Sequence, residues 1–169
     1  GEGAYMSERR LAVLLSFSGA GGVERTVLNL LPWFVDQGVR VDLLAIRAHA
    51  APPNAIPLNV RLIDLKAEHN MTAVPAIVAA AQATLDDVAT DYARLALHNL
   101  RHADGVGHGH PYRARPPAGV IGWYEDLLGR ARESQPELVP AVEAALASVR
   151  DFDAWLERNL ASFRGKAGV

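Results

Sequence analysis

Leu11-Ala-Val-Leu-Leu-Ser-Phe17, running into Ser18-Gly-Ala-Gly-Gly-Val-Glu-Arg25, decides the fold of this chain. The first part is almost unbroken apolar sequence, which predicts a strand covered on both faces within a parallel sheet. Beyond the glycines, Val27, Leu28, Leu30, Leu31, Phe34 and Val35 recur at helical spacing until Gly38 stops the helix. Glycines at such a junction let the backbone bend sharply. They also leave the first N–H groups of the helix free to face an anion, a phosphate or a carboxylate. The junction is therefore expected to floor a ligand site at the carboxyl end of the first strand, where open α/β sheets bind their ligands.

Working outward, Gly38-Val-Arg-Val-Asp-Leu-Leu-Ala-Ile46 reads as a second strand. His49-Ala-Ala-Pro-Pro-Asn54 reads as a turn-rich connection, and Asn59-Val-Arg-Leu-Ile-Asp-Leu65 alternates like a third strand. The ordered set of strand, Gly-Gly-x-Glu-Arg loop, Asn-Leu helix, glycine and strand resembles the N-terminal domain of family 4 glycosyltransferases, over roughly residues 9–66. The resemblance implies a GT-B architecture of paired Rossmann-like domains, with the acceptor side in the first and the nucleotide-sugar site mostly in the second. It implies that Gly21 and Gly22 line the cleft near the donor phosphates. The ligand-binding candidates are thus Gly21, Gly22, Glu24 and Arg25, and the implied ligand is a nucleotide sugar or its acceptor. The alternative is that the glycines only form a tight βα turn. Glu24 reads equally as a sugar-binding carboxylate or as a first-turn acid favoured by the helix dipole. Arg25 reads as a phosphate contact or as an exposed arginine beside an acid.

The chain has 169 residues, half of them apolar, a formal net charge of −2 and no cysteine. That is room for one sizeable core and too little for a complete pair of Rossmann domains. Positive charge is dispersed among acids, which argues against a nucleic-acid partner. Disulfides and thiolate metal sites are excluded, and no apolar run has the length of a membrane span. The expected location is the cytoplasm, as a single chain or a homo-oligomer. Gly1–Tyr5, which precede Met6, are set aside in the fold reading.

Near Asn70 the pattern changes. Val74, Ile77, Val78, Ala81, Leu85, Val88, Tyr92 and Leu95 step by threes and fours, one helical face from Thr72 to about Ala103, with Pro75 expected in its first turn. Thr84-Leu-Asp-Asp87 could restart that helix after a small kink. A loop rich in Gly, His and Pro spans Asp104–Gly119, a short helix is expected over about 120–133, and a long one over 136–163. Ser134 and Glu137 have capping-box spacing at its start. Its buried stripe is Leu138, Val142, Leu146, Val149, Phe152, Leu156 and Leu160. The expected fold is α/β: a short parallel βαβ-type sheet of about three strands over residues 6–69, then an all-helical segment over 70–169 packed on it. Phe152-Asp-Ala-Trp-Leu-Glu-Arg-Asn-Leu160 and Gly165–Val169 resemble a helical segment of a zinc-peptidase-related family of unknown function, whose His-Glu-x-x-His zinc helix has no counterpart here. The pattern is that of a composite, natural or recombined.

Four of the six histidines, His98, His102, His108 and His110, fall close together. His98 and His102 share a helical face, and His108-Gly-His110 could add ligands for zinc, nickel or copper, with an oxygen from Asp104. The competing reading is a solvated helix end. Trp123, Tyr124 and Trp155 read as core more readily than as a sugar platform. Glu125 and Asp126, adjacent on a helix, diverge and make poor acid/base partners. The functional classes left are an incomplete nucleotide-sugar-dependent transferase that needs no cofactor of its own, a phosphate- or metal-binding module, and a recombined or designed fold without native activity. No catalytic residue is assigned.

Overall fold

The computed structural model describes residues 9–19, 21–86, 88–102 and 119–164. The chain divides into two units, Gly1–Ala73 and Val74–Val169.

In the first unit, β1 (Arg10–Ser16), α1 (Gly22–Asp36), β2 (Arg40–Ile46) and β3 (Arg61–Asp64) follow the expected βαβ order. All pairing is parallel, from Arg10 opposite Arg40 to Ser16 opposite Ile46, and from Asp42 opposite Arg61 to Ala45 opposite Asp64. The sheet order is β1-β2-β3. Leu15, Phe17, Leu31, Val41, Leu43, Ala45 and Val60 make the core, with Val27, Leu28, Phe34 and Val35 packed on it. Gly38 ends α1 at φ +73, where its N–H donates to the Val35 carbonyl and that of Val39 to the Phe34 carbonyl, a Schellman closure.

Two expectations fail in this unit. β1, expected to be covered on both faces, is covered on one: Leu11, Val13 and Leu15 face the α1 core while Leu14 remains 52% exposed, and the strand lies at the edge of the sheet. A run of small and branched apolar residues cannot by itself distinguish an edge strand from a central one. Leu30, expected on the buried stripe of α1, is exposed. Glu24, a charged residue, is buried in the first turn of the same helix.

Beyond β3 the described residues add no strand to this sheet. The elements are α2 (Asn70–Thr84), α3 (Thr90–Arg101), α4 (Gly119–Ser134) and α5 (Val139–Asn159), the last preceded by a 3-10 turn at Pro136–Leu138. Ala93, Leu97, Leu100, Val149, Leu156 and Phe163 form the core of the second unit, with Ile121, Tyr124, Phe152 and Trp155 around them. Arg101 clamps α3 to α5, with Nε donating to Asp153 Oδ1 at 2.7 Å, Nη2 to Asp153 Oδ2 at 2.9 Å, and Nη2 also to Glu157.

The helical face expected from Thr72 to Ala103, with a restart foreseen at Thr84–Asp87, is two helices that part at that place, and the gap is a full break rather than a small kink. The break between Thr84 and Thr90 resets the phase, so Leu85, Tyr92 and Leu95 are exposed and Ala93, Leu97 and Leu100 are buried instead. Pro75 is the sixth residue of α2, past its first turn. The capping box does not form: Ser134 belongs to the last turn of α4, where its hydroxyl donates to the Arg130 carbonyl, and the 3-10 turn has no side-chain cap. Leu138 lies in that turn and is exposed. The rest of the long-helix stripe holds, with Val142, Leu146, Val149 and Leu156 buried.

Candidate functional site

Parallel order places the carboxyl ends of β1, β2 and β3 on one edge of the sheet, and the β1–α1 loop crosses it. The Phe17 N–H donates to the Ile46 carbonyl at 3.0 Å, so Ser18 leaves β1 beside the start of Arg47. The chain then turns at Gly19, φ +88, a left-handed conformation suited to glycine.

Glu24 holds this turn together. Its Oε2 accepts the Ser18 N–H at 2.9 Å, the Ser18 hydroxyl at 3.1 Å and the Gly19 N–H at 3.2 Å. The side chain is buried. The Ser18 N–H is the main cause that holds its carboxyl below the ordinary value of 4.5, against the opposing effect of desolvation. Of the two readings weighed for Glu24, its place in the first turn agrees with the acid at a helix start, and its carboxylate is turned inward as an anion that satisfies loop donors six and five residues upstream.

The Gly21 N–H also helps to hold the Glu24 carboxyl down, and among the described residues the N–H groups that follow it, from Gly22 to Glu24, have no backbone acceptor. Gly21 is the extended N-cap of α1 and no side chain caps the helix. The first intrahelical bond is from the Arg25 N–H to the Gly21 carbonyl at 3.0 Å, so the N–H groups of Gly22, Val23 and Glu24 precede it. The two glycines play different parts. A Cβ on Gly21 would stand 3.1 Å from Ser18 Oγ and press on the Glu24 clasp, whereas one on Gly22 would meet nothing within 4 Å. Gly21 serves the fold, and Gly22 is not required by it. Arg25 is exposed on the first turn.

Two cations at this edge carry no sequence signal. Arg47 follows β2 at φ +53 and Lys66 follows β3 at φ +51, both left-handed without being glycine. Each is fixed through its backbone, the Arg47 N–H on the Ala67 carbonyl at 2.9 Å and the Lys66 N–H on Asp64 Oδ1 at 2.8 Å. Residues held in this region carry a conformational cost that clusters at ligand sites. Arg47 and His49 also lie 3.8 and 3.6 Å from the Glu68 carboxylate.

The remaining candidates separate. His98 and His102 come together, with ring centres 5.0 Å apart. His108, His110 and Asp104 lie outside the described residues. Among the described residues no group of three or more histidines and carboxylates could hold a metal ion. Tyr124 and Trp155 pack on the core of the second unit, whereas Trp123, also expected in the core, is exposed and stands edge-on to Tyr124. Glu125 pairs with Arg150 and Asp126 with Arg130, so the adjacent acids do diverge. Among the described residues no helix is long and apolar enough to cross a membrane. Comparison of the chain with protein-family models, with curated proteins and with solved structures finds no match.

Proposed function

We propose that the N-terminal unit binds a phosphorylated ligand over the start of α1, as the acceptor-side part of a nucleotide-sugar-dependent transferase. The observation that carries this reading is the uncapped first turn of α1 behind an open Gly22. Helix N-termini of this kind bind phosphate through backbone N–H groups and the dipole. Arg25 supplies a cation on the turn, and Arg47 and Lys66 stand at the ends of the neighbouring strands. Glu24 fixes the loop by taking the Ser18 and Gly19 donors, and the N–H of the N-cap Gly21 also acts on its carboxylate, which leaves the Gly22 and Val23 N–H groups for a ligand. The nucleotide-sugar class rests on the resemblance of residues 9–66 to family 4 glycosyltransferases, and transfer itself calls for a donor-binding domain.

Calorimetric titration with uridine diphosphate tests the site. Gly22→Val fits the fold, because its side chain enters open space, and its methyl groups stand where a phosphate oxygen would approach. Binding by the parent that is weakened in Gly22→Val is the expected result. Equal affinity in both proteins rejects the loop as the site and leaves the glycines as turn formers.

A further inference from the structure

The second unit carries a separate pair of imidazoles that the fold holds at chelating distance. His98 and His102 stand four residues apart at the end of α3, with ring centres 5.0 Å apart. Two imidazoles that share a tetrahedral ion, each at about 2.0–2.1 Å, have ring centres roughly 5 Å apart. The turn that carries them is not frayed. The His102 N–H donates to the His98 carbonyl at 2.8 Å, which closes the last turn of α3 on His102, the C-cap, whose own backbone is extended at φ −131 and ψ 146.

α4 braces the same turn. Gly119 approaches so closely that a Cβ there would lie 2.4 Å from the Asn99 carbonyl oxygen and 2.7 Å from the His102 nitrogen. Charge around the pair also admits a cation. The helix ends here, so its last carbonyls present partial negative charge. The nearby arginines are already engaged: Arg101 with Asp153 and Glu157, and Arg94 with Asp91 at 3.6 Å.

We propose that His98 and His102 chelate one late first-row divalent ion (copper, nickel or zinc), with water in the remaining positions. Imidazole nitrogen suits these ions, and helical histidines four residues apart are a recurring zinc-binding pair. The site is independent of the phosphate reading, since it lies on other residues of the other unit.

Zinc sulfate is titrated into the full chain, into His98→Gln, into His102→Gln and into the double variant His108→Gln/His110→Gln, with heat and melting temperature as readouts. His102 is exposed, so its replacement leaves the fold intact. The expected result is one zinc ion per chain and a raised melting temperature in the parent. Each single variant should lose roughly tenfold or more in affinity, because a lone imidazole forfeits the effective concentration of its neighbour. The double variant should bind as the parent does. Copper should bind more tightly than zinc, in the usual order of these ions. The proposal is overturned by an absence of binding, by unchanged affinity in His102→Gln (an adventitious ion only), or by loss of binding in the double variant.

Discussion

Glu24 shows how a single side chain can change the meaning of a motif. A glutamate in the first turn of a helix is ordinary, since the dipole favours it there. Here it is buried and turned back on the strand-to-helix loop, where its carboxylate takes the Ser18 and Gly19 donors. Nothing local in the sequence signals this, because the partners are fixed by where β1 ends. A pH dependence follows. Its folded pKa lies below the ordinary 4.5, so its contribution is fully present above the unfolded value and is lost as pH falls through the folded one. Glu24→Gln should therefore be less stable than the parent at pH 7. The gap in urea midpoint should narrow as pH drops below 4.5, and a gap that stays constant would remove the carboxylate from this role. The glycines make a second test. Gly38→Ala meets no neighbour and should cost only the left-handed backbone, about 1–2 kcal/mol. Gly119→Ala, also left-handed, drives a Cβ into the backbone of α3 and should exceed the ~1–3 kcal/mol of the conformation alone. Urea melts of the two variants compare these costs directly.

At the scale of elements, most of the fold was legible. The β1–α1–β2 order was readable because buried strands and amphipathic helices have different periods and Gly38 separates them. The place of the α2–α3 break was signalled by Thr84-Leu-Asp-Asp87, but the phase of the helix beyond it was not. Alanine fills so many positions that Ala93 could take a core place while Leu95 and Tyr92 were left outside, and a stripe drawn through large residues follows the wrong phase. The edge position of β1 also escaped the sequence, since its composition suits a covered strand. It has a measurable consequence. The Arg9 carbonyl accepts from Arg40 and the Phe17 N–H donates to Ile46, so odd-numbered residues of β1 bond to β2 and Ala12 points its N–H away from the sheet. Ala12→Pro should be tolerated, with a small change in melting temperature. Val13→Pro removes a ladder donor and should cost at least ~1–3 kcal/mol through the carbonyl left unpaired. Similar melting temperatures for the two variants would contradict the assigned ladder phase.

For the molecule as a whole, the cation positions at the sheet edge were the part of the candidate site hidden from the sequence. Gly21, Gly22 and Arg25 were visible as a contiguous loop. Arg47 and Lys66 reach the same edge only because three parallel strands end there, and their left-handed backbones depend on bonds to Ala67 and Asp64. Arg47→Ala should then weaken uridine diphosphate binding through lost charge, without altering the Glu24 clasp, which is built on other residues. Binding and turnover remain different demands. Departure of a nucleotide diphosphate requires positive charge and donors aimed at the oxygens where negative charge develops, already in place before reaction. The α1 terminus offers a few N–H groups for one phosphate, and the cations at this edge stand on separate elements, Arg25 on the helix and Arg47 and Lys66 beyond β2 and β3, with Arg47 beside the Glu68 carboxylate. Such an arrangement can hold a ligand and gives little differential stabilisation of a transition state. The purified chain, supplied with uridine diphosphate sugars and a panel of acceptors, should therefore release no nucleotide above the uncatalysed background. Release that is abolished by Gly22→Val would show instead that this unit carries chemistry of its own.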